Sequence, residues 1–170
     1  MISAAEKYLR VIGCEYHRDA QGRLVVNGVL DVSARNLKEL PDLTEVVVLG
    51  HFICRYNYLT SLKGSPQEVH GTYFCNGNQL TTLEHAPKAV GGNFFANHNP
   101  LISLEGAPRK FGRLESDLGN FLDWESVPAH LRFTPETKER ELKRAIEEAT
   151  VLQQPITARK PLKFNIPPQI

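Results

Sequence analysis

Little in this 170-residue chain announces chemistry. It has three cysteines, one tryptophan and one methionine. An odd cysteine count with no Cys-x-x-Cys spacing argues against a disulfide framework and against a zinc site. The longest apolar run, Val46 to Leu49, is a fraction of the roughly 20 residues a membrane span needs. The start, Met1 to Lys7, lacks a basic region followed by an apolar one, so no signal peptide is expected and the expected setting is cytoplasmic, with no membrane partner. A net charge of +1 gives no global attraction to nucleic acid or anionic lipid. No Gly-x-Ser-x-Gly, phosphate-cradling Gly-x4-Gly-Lys or His-Glu-x-x-His occurs, which removes the commonest hydrolase, nucleotide and zinc-protease signatures. His51, His70, His85 and His98 fall at four different places of the repeat described next, so they form no ligand ladder. The expectation is a non-enzyme with no catalytic residue, cofactor or metal.

What the chain does have is self-similarity. The unit Val48-x-Gly50-x-Phe52-x-Cys54-x-x-Asn57-x-Leu59-x-x-Leu62-x-x-x-Pro66 returns from Val69 to Pro87 and from Val90 to Pro108, 21 residues on each time. A looser copy lies 22 residues earlier, with Val26, Gly28, Leu30, Val32, Leu37 and Leu40 in place and Asn36 displaced by one. A fixed period of this length predicts a solenoid, in which each coil buries its apolar edge against its neighbours. At the next step the pattern fails. Phe111 matches Val90, but Arg113 falls where glycine belongs, Glu115 where an aromatic belongs, and Leu114 has the opposite parity, so the repeats are expected to end there.

Strand alternation sends Phe52 and Cys54, with their counterparts, into the core. Cys54, Cys75 and Ala96 share one position, which therefore wants a small apolar filler. Asn57, Asn78 and Asn99 form a ladder whose amides can satisfy backbone groups where the chain leaves the strand. The return segments, such as Lys63 to Pro66, are too rich in glycine and proline for helices.

The Phe/Tyr-x-Cys/Ala-x-x-Asn-x-Leu-x-x-Leu core resembles leucine-rich repeats of the short kind found in bacterial and bacteriophage proteins. The resemblance covers residues 24 to 117. It implies a small leucine-rich-repeat solenoid of about four coils with a parallel β-sheet, in an α+β chain. It also implies a protein that binds other proteins, such as a phage or bacterial inhibitor or adaptor that acts on a host protein, for instance a defence system, in the host cytoplasm. Some bacterial effectors join such repeats to a ubiquitin ligase with a catalytic cysteine. Here no cysteine follows Cys75, and the residues after the repeats are too few for a catalytic domain of typical size.

The flanks read as covers for the solenoid ends. Residues 1–23 form an N-terminal cap whose helix starts at Ser3, stops at Gly13 and carries Ala5, Leu9 and Ile12 at helical spacing. Residues 118–154 form a C-terminal cap and helix. Leu118, Phe121, Leu122, Trp124, Val127 and Leu131 supply the cap, and Thr134-Pro135-Glu136 opens the helix. Leu142, Ala145, Ile146 and Ala149 make a narrow apolar edge on which the helix is expected to dock. Residues 155–170 form an extended tail in which Leu162, Phe164 and Ile166 alternate with polar residues.

The candidate site lies on the strand positions that point away from the core. Ile53, Phe74 and Phe95 form an apolar row, preceded by Asp31. Val29, His51, Thr72 and Asn93 flank it on one side, and Ser33, Arg55, Asn76 and Asn97 on the other. An apolar stripe with a polar rim is the usual anatomy of a protein-binding patch. Ile53, Phe74, Phe95, His51, Arg55, Asn76 and Asn97 are the candidate contacts, with Leu162, Phe164 and Ile166 of the tail as a second interaction element. Three occupants of the stripe stay open: another protein, a second copy of the chain, and the chain's own tail or helix. A structural role in a larger particle or homo-oligomer is an alternative. Nucleic-acid binding, which would draw on Arg109, Lys110, Arg113, Arg159, Lys160 and Lys163, is less favoured in a chain so near neutrality.

Overall fold

The computed structural model describes residues 2–152. In it the repeat folds as two short strands joined at a glycine, and successive copies stack into a β-solenoid of about four coils. The strands are β1 (His17–Arg18), β2 (Leu24–Val26), β3 (Leu30–Asp31), β4 (Val46–Val48), β5 (Phe52–Ile53), β6 (Glu68–Val69), β7 (Tyr73–Phe74), β8 (Phe94–Phe95), β9 (Leu114–Ser116) and β10 (Gly119–Phe121). One sheet has the order β1-β2-β4-β6 and the other β10-β9-β8-β7-β5-β3. All pairs are parallel except β1 with β2 and β10 with β9.

The single parallel sheet expected from the repeat is thus two sheets, and the glycine column is where they part. The Gly71 N–H donates to the Gly50 carbonyl at 2.9 Å, and the Gly92 N–H to the Gly71 carbonyl at 2.9 Å. A Cβ placed on Gly50 would lie 2.4 Å from the Gly28 oxygen, and one on Gly71 2.5 Å from the Gly50 oxygen. Only a residue without a side chain lets the backbones stack this closely at the corner. Val48 and Phe52 therefore share a repeat but belong to different sheets.

Phe52, Tyr73 and Phe94 stack inside the coils with ring centroids 5.0 and 4.9 Å apart, between Leu30 and Leu114. Leu59, Leu62, Leu80, Leu83 and Leu104 fill the remaining core, all fully buried. The Tyr73 hydroxyl shares a 2.8 Å hydrogen bond with Ser65, which donates in turn to the Leu62 carbonyl. Cys54, Cys75 and Ala96 are fully buried in one column. The two thiols donate to the Phe74 and Phe95 carbonyls of the next coil at 3.3 and 3.4 Å. Burial pushes the Cys54 thiol up to about 12 and Cys75 well above its usual value. Thiols that do not ionise near neutral pH are packing groups and not nucleophiles.

Each ladder asparagine staples its coil to the one before. The Asn78 amide donates to the Cys75 carbonyl at 3.0 Å and to the Cys54 carbonyl at 3.1 Å, and its oxygen accepts the Leu59 N–H at 3.1 Å. Asn99 repeats this with Ala96, Cys75 and Leu80, and Asn57 with Cys54, Val32 and Leu37.

Where the repeat was expected to stop, the structure shows a register slip. Leu114 pairs with Phe94 and Glu115 with Phe95, an offset of 20 residues. Gly112 keeps the corner, donating to the Gly92 carbonyl at 2.8 Å. One missing residue restores the parity that a fixed 21-residue template reads as broken. Leu114 and Ser116 accordingly point inward and are buried. Only after Ser116 does the chain reverse, into the β9–β10 hairpin.

At the N-terminal side, α1 (Ala4–Val11) begins at Ser3, whose hydroxyl accepts the Glu6 N–H at 3.1 Å, and lays Ala5 and Leu9 in the core. Glu6 faces the segment that follows, accepting hydrogen bonds from Arg18, Tyr16 and Arg10. The bond from Arg18, aided by those from Tyr16 and Arg10, holds its carboxyl below the ordinary glutamate range against the opposing effect of burial. A depressed folded-state pKa contributes stability above the ordinary value and loses it as pH falls through that value and below. Glu6→Gln is therefore expected to lower the melting temperature at pH 7. Its melting curve should converge with wild type in acid, below the folded-state pKa. Parallel curves from neutral to strongly acidic pH would show that Glu6 gains nothing from these partners.

After β10, Trp124 and Val127 are buried against the core, and the Leu131 carbonyl, in a 3-10 turn at Ala129–Leu131, accepts the Leu104 N–H at 2.6 Å. Leu122 departs from the expected packing and is 66% exposed. The chain divides into two units between Thr134 and Pro135. The second contains α2 (Pro135–Leu152), in which Glu139 pairs with Lys143 and Arg144 with Glu148 at i, i+4. Its expected docking edge, Leu142, Ala145, Ile146 and Ala149, is exposed. The tail, including Leu162, Phe164 and Ile166, lies outside the described residues. Among the described residues no helix is long and apolar enough to cross a membrane.

Candidate protein-binding face

The outer side of the β3-to-β9 sheet is a grid built by register. Pairing of Asp31 with Ile53, Ile53 with Phe74, Phe74 with Phe95, and Phe95 with Glu115 makes one continuous row across five strands. Its three central members are apolar and its two ends are carboxylates. Ile53, Phe74 and Phe95 are half-buried, not fully exposed. The rings of Phe74 and Phe95 lie parallel, 5.1 Å apart and 14° from coplanar, so each covers one face of the other. The ring of His51 meets Phe74 edge-on at 6.2 Å and 81°. A stacked pair fixed by two adjacent strands is a rigid apolar surface, with little rotamer freedom left to lose on contact.

The rim is tied to the backbone. His51 Nδ1 accepts the Thr72 N–H at 2.9 Å, which requires that nitrogen to be unprotonated and sets the tautomer. Thr72 Oγ1 accepts the Asn93 N–H at 3.3 Å. On the other side the carbonyls of Asn76 and Asn97 accept the N–H groups of Tyr56 and Gly77, at 3.1 and 2.9 Å. Their side chains stay half-buried beside the row. The Arg55 guanidinium lies 5.6 Å from the centre of the Tyr56 ring. At the row's ends, Asp31 accepts from the Ser33 N–H and hydroxyl, and Glu115 pairs with Arg113 at 3.2 Å.

Ile53, Phe74, Phe95, His51, Arg55, Asn76 and Asn97 are therefore brought together on one face. Leu162, Phe164 and Ile166 lie outside the described residues. Two neighbours were missed. Glu115 enters the row only through the one-residue slip. Tyr56, 59% exposed, sits at a left-handed corner with φ 54°, where the next coils have Gly77 and His98. Its ring lies where a Cβ on Gly77 would be, 2.5 Å from that position, so Tyr56 extends the aromatic surface past the rim. A tyrosine in a column otherwise filled by alanine, glycine and histidine was the available signal.

The other candidate chemistries disperse. The Arg109 guanidinium stacks 3.9 Å over Trp124, and Arg113 is held by Glu115, so two members of the basic cluster are already engaged. His70 lies 3.3 Å from Glu68. His85 and His98 occupy left-handed corners at φ 68° and 58°, conformations that histidine adopts more readily than most side chains. Among the described residues no group of three or more His, Cys, Asp or Glu side chains is placed to hold a metal ion. Comparison with protein-family models, curated proteins and solved structures finds no match to this chain.

Proposed function

We propose that this chain is a non-enzymatic protein-binding module of the leucine-rich-repeat class, working in the cytoplasm. Its binding face is the row Ile53, Phe74 and Phe95, with His51, Arg55, Asn76 and Asn97 as the polar rim. The α1 segment and residues 122–134 act as covers that keep the coil ends from exposing core. One observation carries the reading: two phenylalanines stack in parallel at 5.1 Å on the outer side of a sheet whose inner side is already fully packed. Outward aromatics contribute little to the coil core, and a rigid aromatic pair within a polar rim is the composition of an interface hot spot. The partner that suits the class is a host protein, such as a component of a defence system, which the chain would inhibit or redirect.

Phe74→Asp with Phe95→Asp tests this. The double variant is expected to stay folded, because neither side chain lies in the core, with a melting temperature lowered by roughly 5–10 °C through loss of the half-buried stack, and to lose at least about tenfold in affinity for any partner captured by the wild-type chain. Capture from a host lysate followed by titration of the purified partner measures both. Undiminished affinity in a folded double variant would move the binding site elsewhere.

A further inference from the structure

The two sheets end differently at the first coil. The β1-β2-β4-β6 sheet is closed there by β1, which pairs antiparallel with β2. The other sheet stops at β3, which pairs with β5 alone. In parallel pairing a residue turns both backbone groups toward the same neighbour, and the next residue turns them the opposite way. The Leu30 and Val32 N–H groups donate to His51 and Ile53 at 2.9 and 2.8 Å, so those of Val29 and Asp31 point out of the sheet. No backbone acceptor meets either of these two N–H groups among the described residues.

Beside this edge lies a groove of about 510 Å³ between residues 12–17 and β3, lined among others by Ile12, Cys14, Glu15, Tyr16, Val29 and Asp31. From Val29 to Val32, before the turn at Ser33, the edge offers about 10 Å of extended backbone. Its ionisable side chains include two carboxylates, Glu15 and Asp31, and the imidazole of His17. Glu15 and Asp31 have no ion-pair partner among the described residues. Ile12, Cys14 and Tyr16, half-buried against the core, give the groove an apolar wall.

We propose that the open edge of β3 is a strand-docking site for an extended polypeptide whose basic side chains alternate with apolar ones. Such a strand continues the sheet by one more coil. Its N–H and C=O groups pair with those of Val29 and Asp31, its basic side chains lie beside Asp31 and Glu15, and its apolar ones enter the groove. This site adjoins the row at its end member, Asp31, but it is formed by the backbone edge of β3 and the groove and does not require Phe74 or Phe95.

The test uses the full chain, labelled with nitrogen-15, and two capped pentapeptides, acetyl-Lys-Val-Lys-Val-Lys-amide and acetyl-Glu-Val-Glu-Val-Glu-amide. The basic peptide is expected to bind about tenfold or more tightly than the acidic one. It should shift the Val29 and Asp31 amides and slow their hydrogen exchange. N-methylation of one alternate set of its amides should abolish binding, while methylation of the other set leaves it within about threefold, since only one set faces the edge. Asp31→Lys, at an exposed position, leaves Glu15 as the site's one carboxylate and should abolish the preference for the basic peptide. Four results would overturn the proposal: equal binding of both methylated peptides, an unchanged preference in Asp31→Lys, shifts confined to Phe74 and Phe95, or no shifts at millimolar peptide. A peptide-free dimer whose interface maps to Val29 and Asp31 would assign the edge to a second copy and also overturn it.

Discussion

Asn78→Ala is expected to destabilise the solenoid by about 2–5 kcal/mol, although it removes only a few atoms from a polar side chain. The Leu59 N–H is buried and its one acceptor is the Asn78 oxygen. Removing that acceptor leaves a buried donor unsatisfied, at about 1–3 kcal/mol. Two further bonds, to the Cys54 and Cys75 carbonyls, are lost at about 0.5–1.5 kcal/mol each. Those two losses fall at the low end, because Asn57 still donates to the Cys54 carbonyl and Asn99 to that of Cys75. Asn78→Asp separates the two functions of the side chain. Aspartate keeps an acceptor for Leu59 but turns an oxygen toward two carbonyls in a buried site, where a carboxylate is costly in either protonation state. Chemical denaturation should therefore rank Asn78→Asp as at least as damaging as Asn78→Ala. An aspartate variant close to wild type would show that the Leu59 contact alone matters and that the two donated bonds contribute nothing.

That ladder was legible in the sequence because a polar residue recurring at a fixed place among buried ones has to serve the backbone. The inward parity of Phe52, Tyr73 and Phe94 was legible for a similar reason, since a two-residue alternation leaves only two choices of side. What could not be read was the consequence of the glycine column. Its recurrence implied close approach, but that Gly50 and Gly71 divide each repeat between two sheets depends on the backbone path, to which no side chain testifies. The fifth strand was hidden by a different cause. A single missing residue before Leu114 inverts every later assignment made with a rigid period, so Glu115, which belongs to the outer row, fell on the aromatic column and the repeats were expected to end there. Gly112, one position early, marked the slip. The outer row itself could be placed from parity alone, whereas the open edge of β3 could not. It depends on which sheet the N-terminal segment closes, a choice made in three dimensions by β1.

Phe94→Ala should cost about 3–5 kcal/mol, the range for truncating a large aromatic in a core that cannot collapse around the gap. Phe94 is fully buried, its ring 4.9 Å from Tyr73 and tilted by only 16°, and its strand is paired on both sides. Relaxation is blocked because the backbones above and below are held at the glycine corners, where approach is already at the steric limit. The contrast with its neighbour gives the experiment its force. Phe95 is the next residue on the same strand, has the same side-chain volume, and stacks at 5.1 Å on Phe74 as Phe94 does on Tyr73. Yet it faces out, so Phe95→Ala opens no enclosed cavity and should cost on the order of 1 kcal/mol, from the lost stacking contact and partial burial. Urea denaturation of the two single variants measures the difference directly. A gap of at least about 2 kcal/mol is expected, with Phe94→Ala the weaker protein. Equal losses would mean that the outer stack is as enclosed as the inner one, and that Phe74 and Phe95 form a second core layer and not a surface for a partner.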